Sequence, residues 1–377
     1  MREFHSVLVK KERLLPGIHG LRGVAALAVV LYHLIHIGGI KPPNIFEFIG
    51  RDFGYSVHLF FILSAYSLMY STEPRINRPD WVGDYLIKRF FRIAPLFYFL
   101  MVFEIGRQAF YGGVAVGASS IVLNLTFTFG FIPFAGIVWG GWAVGVEMIF
   151  YAIFPVLLST IRSHRSALIF LIISIAVSCY IRTALHHQHI NLVSPPKWDW
   201  SYYAFASNIC FFAMGIFAFR VRQQLKKEST MMALFPLIAM ALIGWLMFFG
   251  GGKYFYGSGR GDIVVWGFGL AALCLWQSTQ PSFIIAHGLF QYFGERSFSI
   301  YLVHPVVIEF FKSFIFKTYE ELLPFIGAYA YFVCAILILA VILIFVELTY
   351  RLIEVPGIHL GRQLIVRRRS QEYAEIS

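Results

Sequence analysis

The sequence predicts an all-α, polytopic transmembrane helix bundle of about ten spans plus one re-entrant or interfacial segment. Three observations predict it. Of the 377 residues, 58% are hydrophobic and only 14% are charged, against about 25% charged in ordinary soluble domains. Apolar runs long enough to cross a hydrocarbon core recur along the whole chain. Alternating polarity in ten-residue blocks, the mark of a membrane barrel, does not occur. Mean hydropathy is +0.70, and the 40 Phe and 20 Tyr suit lipid-facing helices and interfacial belts.

Taken in order, the apolar runs fall near 17–38, 54–72, 93–111, 139–160, 166–183, 203–219, 231–250, 262–279, 297–316 and 325–350. An eleventh stretch, 116–134, is rich in Gly, Ser, Thr and Asn and contains Gly130 and Pro133. Positive charge decides its path, because cytoplasmic loops carry the excess of Lys and Arg. If the stretch does not cross and the N-terminus is cytoplasmic, 21 of the 31 Lys and Arg lie on the cytoplasmic side and 9 on the other, with Arg22 left out. If it does cross, the split is 15 against 15. The biased arrangement is the expected one, with both termini in the cytoplasm and 116–134 packed in protein or lining a cavity.

Two regions are expected: a membrane domain over 1–360, and a short, basic, disordered cytoplasmic tail over 361–377. The charged N-terminus is followed by no small-residue cleavage site, so the first run reads as a retained span of the plasma (inner) membrane. The net charge of +11 reads as topology signal and contact with lipid head groups, with no nucleic-acid partner. Cys179, Cys210, Cys274 and Cys334 all lie in apolar runs, so neither a disulfide nor a metal site is expected. No internal repeat or second soluble domain is visible.

Polar residues inside the runs are the candidate site. Arg22 and His33 are eleven positions apart, which returns to nearly the same helix face with roughly 16 Å of rise between them. One reading is a polar path through the bilayer. The plainer one is an arginine that snorkels to the head groups and a histidine that caps a backbone group. Residues 73–92 read as a cytoplasmic loop feeding the third span. Arg89 and Arg92, at i, i+3, would meet a phosphate-bearing ligand there or serve only as anchors. Glu147 lies well inside the run that begins at Trp139, with Tyr151 one turn on. It either bonds the bundle together or orients a group such as His33. Residues 185–200 form an outer loop in which His186, His187 and His189 have too few carboxylates near them for a metal. Asn124 opens a glycosylation sequon that lies in the membrane-associated stretch and reads as coincidence. The run RVRQQLKKE at 220–228 reads as a topology determinant. Ser297, Tyr301 and His304 share a helix face beside Pro305, as a cavity wall would. Glu347, Arg351 and Glu354 are spaced for an internal ion-pair ladder, more structural than catalytic.

Together these blocks resemble the acyltransferase 3 family, membrane-embedded O-acyltransferases that modify surface glycans and other acceptors. The resemblance covers roughly 15–360. It runs through LRGVAALAVVLYH, with Arg22 and His33, and FFILSAYSLMYS, where Ala65 replaces a common glycine. KRFFRIAP follows, with Arg89 and Arg92, then WAVGVEMIFYAIFP, with Trp142 and Glu147. FFAMG (211–215), SFSIYLVHP and YRLIEVP close the series. The resemblance implies acyl-CoA, most often acetyl-CoA, as donor, with no permanently bound cofactor. It implies His33 as general base toward an acceptor hydroxyl. The ordinary histidine pKa suits that role, and Glu147 would be its orienting partner. Arg22, Arg89 and Arg92 would hold the donor, and Trp142, Tyr301 and His304 would line the acceptor cavity. The expected acceptor is a surface polysaccharide or a lipid-linked glycan. Within the same class the alternatives are a signalling oligosaccharide, a macrolide or a periplasmic glucan. With no hydrolase-like domain visible, the chain would act alone or pass the group to a separate protein. A transporter using Arg22, His33 and Glu147 as a path is the rival from another class, although no symmetry between halves is seen. A silent scaffold is the third.

The topology has a direct test. Single cysteines at Ser119 and Arg222, probed with an impermeant thiol reagent on intact cells, should leave Arg222→Cys unlabelled. Labelling of Arg222→Cys from outside would overturn the ten-span arrangement.

Overall fold

The structure is a computed structural model that describes residues 15–113, 115–132, 135–190, 199–225, 230–249 and 262–376. Among these every regular element is helical. In chain order they are α1 Pro16–His36, α2 Phe48–Asp52, α3 Ser56–Thr72, α4 Trp81–Phe110, α5 Ala118–Leu125, α6 Trp142–Thr160, α7 His164–Ile190 and α8 Phe205–Gln224. Then come α9 Thr230–Phe249, α10 Asp262–Thr279, α11 Gly288–Glu295, α12 Ser297–Phe310, α13 Lys312–Ile326, α14 Ala330–Thr349 and α15 Val355–Ile376. Among the described residues, six segments are long and apolar enough to cross a membrane: Pro16–His36, Asn44–Arg75, Trp142–Thr160, His164–His189, Trp200–Gln224 and Lys312–Gln371. Leu234–Met247, Ile263–Thr279 and Ser297–Phe310 are shorter apolar helices. The chain is a helical multi-pass membrane protein.

Helix α1 packs on α3, α11 and α12, α3 packs on α8, and α8 packs on α7. Glycine makes the contact of α1 with α11 and the chain just before it. Gly17, Gly20 and Gly23 recur every three residues on one face of α1. A Cβ on Gly20 would overlap the Ile285 carbonyl oxygen, and one on Gly17 would overlap that of Gln277. Gly294 of α11 answers from the other side, against the carbonyl of His19. Helices in lipid gain most from close backbone approach, and small residues permit it. The glycines of the GLRG block are therefore packing residues.

The sequence expectations meet the structure with several corrections. The described part of 116–134 holds the eight-residue α5, about 12 Å long and too short to cross alone, and a 3-10 turn at Thr128–Phe131. Buried Asn124 ties that segment down, donating to the carbonyls of Ser120 and Ala135 at 2.8 and 2.6 Å and accepting from the Ile137 amide at 3.0 Å. Helix α4 begins at Trp81, so Arg89 and Arg92 are helical and the loop before them is shorter than expected. Helix α7 runs on to Ile190, inside the expected 185–200 loop, and residues 191–198 lie outside the described residues. The expected 297–316 span divides at Phe311 into α12 and α13, while Pro305 lies within α12.

The largest correction is the C-terminal tail, which is helical. After a π-helical turn at Tyr350–Glu354 the chain continues as α15 through the residues expected to be disordered. Helix α15 lies along α4. Gly357 faces Pro95 and Gly361 faces Phe91. Arg368 donates to the Asp80 carbonyl and to Asp84 Oδ1, each at 3.2 Å, and Arg369 pairs with the other Asp84 oxygen. Charge pairing and small-residue contact order what composition alone leaves free.

The glycine stripe yields a stability prediction. Gly20→Ala should lower the thermal midpoint of the purified protein in detergent by a loss of about 1–3 kcal/mol from overpacking. Gly106→Ala, with open space around it, should hold or raise the midpoint through helix propensity. Equal midpoints for Gly20→Ala and wild type would remove the packing role.

Candidate active site

Two polar groups face one another across the bundle at different depths. The first centres on Glu147 of α6. Ser64 of α3 donates to Glu147 Oε1 at 2.6 Å. The Tyr151 hydroxyl donates to Ser64 Oγ at 3.3 Å, and the Tyr85 hydroxyl donates to the Tyr151 carbonyl at 3.1 Å. A carboxylate at this depth needs donors and nearby positive charge. Arg22 and Arg89 supply the charge.

The second group centres on His33 of α1, whose Nδ1 lies 3.0 Å from the Val29 carbonyl and 3.0 Å from His304 Nε2. His304 of α12 in turn places its Nδ1 2.8 Å from the Ile300 carbonyl. A carbonyl oxygen only accepts, so the network assigns the tautomers. His304 carries its proton on Nδ1, bonds Ile300, and leaves Nε2 as an acceptor. His33 carries its proton on Nδ1, shared between Val29 and His304. The lone pair of His33 therefore sits on Nε2, which makes no hydrogen bond among the described residues. The partner of His33 is His304, and Glu147 is bonded to Ser64 instead.

The predicted lining residues are also placed. Tyr301 donates its hydroxyl to the Gly140 carbonyl at 2.8 Å, and Gly140 adopts φ of 72°, a left-handed turn just ahead of α6. The Tyr301 and His304 rings are 6.1 Å apart. Trp142 stands edge-on to Phe61 at 6.0 Å and to Tyr203 at 5.0 Å. Arg22, His33, Glu147 and Trp142 each keep intermediate exposure although they lie deep among helices.

Three arginines gather around Glu147, away from His33. Arg22 reaches Ser67 Oγ at 3.5 Å and its Nε is buried without a partner. Arg22 points into the bundle and does not snorkel. Tyr151, Glu147, Arg92 and Arg89 all act electrostatically on it. Arg89 also holds its Nε buried and unpartnered. Arg92 is engaged: its Nη1 lies 2.6 Å from Glu354 Oε1, and Ser299 donates to Glu354 Oε2 at 2.6 Å. The expected ladder at the end of α14 is thus only half formed. Glu347 takes Arg351 at 2.5 Å and Arg296 at 2.6 Å, while Glu354 turns inward to Arg92.

A family model described as an acyltransferase domain, acyltransferase 3, matches residues 15–345. The chain belongs to the acyltransferase 3 family. Staphylococcus aureus proteins from strains COL, MSSA476 and MRSA252, each named "Putative O-acetyltransferase", are 24% identical to it over 386 aligned residues. The alignment covers 92% of this chain and 58% of each of theirs, so the chain spans little more than half the length of these relatives. No solved structure matches it.

Within this acyltransferase 3 chain, the geometry adds residues that sequence reading did not single out as site residues. Ser64 is one. A serine in the middle of the apolar second block was its signal. Glu354 is the other, and nothing in its local spacing points to Arg92. Elsewhere, His186 Nδ1 lies 2.6 Å from Asp199 Oδ2, and no metal-binding group of side chains occurs among the described residues.

Arg92 and Glu354 should be thermodynamically coupled. Arg92→Ala leaves a buried carboxylate without its cation, a loss of about 3–5 kcal/mol. In a double-mutant cycle, Arg92→Ala with Glu354→Gln should lower the unfolding midpoint by clearly less than the two single losses together. Strict additivity would show that the pair carries no coupling.

Proposed function

We propose that this chain is a membrane O-acyltransferase. It moves an acyl group, acetyl in the first instance, from acyl-coenzyme A to a sugar hydroxyl of a cell-surface polysaccharide or its lipid-linked precursor. The observation that carries the reading is the free Nε2 of His33, fixed as a lone pair by His304 and two backbone carbonyls. A neutral, oriented imidazole open to a chamber is what a general base requires. Family membership and the names of the Staphylococcus aureus relatives support the same class of reaction.

In this reading the acceptor hydroxyl lies against His33 Nε2. Nε2 takes the hydroxyl proton as the oxygen attacks the thioester carbonyl. The C–O bond forms, the C–S bond breaks, and the proton passes from His33 to the departing coenzyme A sulfur. The products are an ester and free coenzyme A. His304 acts through His33: it holds the ring and accepts the Nδ1 proton's hydrogen bond, which makes it a positioning residue. Arg22 and Arg89, with unpartnered buried Nε groups, would receive donor phosphates, and Arg92 would share itself between donor and Glu354. Arg22 lies about 16 Å below His33 along α1, a distance for the extended pantetheine arm to cover. Glu147, bonded to Ser64, balances charge at the arginine end. With both termini in the cytoplasm of the inner membrane, the arginines face the coenzyme A pool and His33 faces the acceptor side.

The test is alkali-labile acetate on purified surface polysaccharide from a deletion strain carrying wild type, His33→Ala, His304→Ala or empty vector. Wild type alone should restore full acetate and His33→Ala none. His304→Ala should cut turnover on the order of 10²-fold with the acyl-CoA KM unchanged. Equal acetate in every strain would remove the glycan as acceptor, and normal turnover in His33→Ala would remove the base.

A further inference from the structure

A second buried polar cluster lies at the same end of the bundle as His33, between α3, α7 and α8. Arg182 stands on α7, about 27 Å along it from His164, as His33 stands about 26 Å along α1 from Pro16. It is only 5% exposed. Its Nε donates to the Ser207 carbonyl at 3.1 Å and its Nη2 to Asn208 Oδ1 at 3.1 Å. No carboxylate pairs with it among the described residues. Asp199, at that end of α7, is taken by His186 at 2.6 Å and by the Ser201 amide at 2.8 Å. Packed close to Arg182 is His58 of α3, fully buried, facing the Tyr55 backbone and the Asn208 side chain with neither ring nitrogen in a well-formed hydrogen bond. The hydroxyl of Ser207, also fully buried, has no partner either.

A guanidinium within a membrane helix is costly, and such groups are paired or mark a ligand path. Buried polar atoms without partners call for a reason. Here what is left over is a guanidinium with no carboxylate among the described residues and the unpartnered Ser207 hydroxyl, with the imidazole of His58 beside them. The one complementary partner class is an oxyanion, which an arginine fork recognises with two parallel bonds. The cluster also connects to the acyl-transfer chamber. Tyr202 packs on His58 at 5.2 Å and on Trp142 at 5.3 Å. Just ahead of Trp142 comes Gly140, which holds Tyr301. Tyr32, beside His33 at 5.0 Å, acts electrostatically on Tyr202.

We infer that Arg182, with His58 and Ser207, forms a subsite for an anionic substituent of the acceptor, a carboxylate or a phosphate. The identity of the ligand as acceptor rests on the acyl-transfer reading. The binding itself does not, and the experiment separates the two. Thermal unfolding of the purified full chain in detergent would be followed for wild type, His33→Ala, Arg182→Gln and Arg182→Lys. Each is titrated with sodium glucuronate, inorganic phosphate or glucose at ionic strength held constant with NaCl. Wild type and His33→Ala should rise by about 2 °C well above Kd with at least one anion and not with glucose. Arg182→Gln should lose the rise, and Arg182→Lys should keep only part of it. A response to glucuronate alone points to a uronic acid, and a response to phosphate alone points to a lipid-phosphate or phosphorylated glycan. No shift in wild type, or an equal shift in Arg182→Gln, would overturn the inference. A saturable Arg182-dependent response to NaCl alone would make the site a halide site and overturn it equally. If Arg182→Gln does not accumulate, Arg182→Lys decides by the same criterion. Acetylation lost as an activity while anion binding stays intact would sink the transferase reading and leave the subsite standing.

Discussion

The 3.0 Å contact between His304 Nε2 and His33 Nδ1 is the constraint on which the rest of the arrangement turns. It joins α1 to α12 across a distance that only packed helices can hold. In lipid there is no solvent to satisfy a stray imidazole, so ring nitrogens look to other parts of the chain. The Val29 and Ile300 carbonyls and the contact between the two rings answer three of the four, and His33 Nε2 alone is left open. For the rings to meet, α1 must sit tightly on α11 and α12. The glycine stripe at Gly17, Gly20 and Gly23 permits the approach to α11, and the Tyr331 hydroxyl, donating to the Leu31 carbonyl at 2.6 Å, pins α1 from the α14 side.

The same rule organises the arginine end. Glu147 is held by Ser64, and Glu354 by Ser299 and Arg92. Three guanidinium groups share the neighbourhood of two carboxylates, which leaves positive charge uncompensated on one side of the chamber. At the other end Arg182 has no carboxylate at all. The bundle therefore has a cationic group at the Glu147 end and a second cation, Arg182, at the end that also holds the neutral histidine pair. That distribution suits a reaction in which both substrates carry negative charge and the reacting atoms do not.

How far the sequence shows this follows from the range of each interaction. Apolar length is a local property, so most of the runs read from composition return as helices with ends shifted by a few residues. Arg22, His33 and Glu147 stood out because a charge inside a run is visible at once. Partners were not visible. Glu147 and His33 are both polar and both buried, yet Ser64 and His304 take them, and only the crossing of α1, α3, α6 and α12 decides that. Glu354 lies in good register for Arg351, but the π-helical turn at Tyr350–Glu354 rotates it inward to Arg92. The tail is rich in Arg and reads as disordered until Asp84, 284 residues from Arg368, supplies the opposite charge. Arg182 sat near the end of an apolar run, where it counted only as an outer positive charge.

A histidine pair in place of a histidine–carboxylate pair has a physical rationale for the proposed transfer. A carboxylate beside His33 would strengthen it as a base, but it would also place a permanent charge in a low-dielectric chamber, at a desolvation cost of several kcal/mol. It would further repel an anionic acceptor approaching His33. A neutral His304, its Nδ1 proton committed to Ile300, presents an acceptor lone pair without a charge. It fixes the tautomer of His33 and can support the imidazolium that forms when the acceptor proton moves. Support from a neutral acceptor is weaker than from a carboxylate, so such a base depends more on being held in place. The close packing of α1, which leaves no room for a Cβ at Gly20, provides that hold.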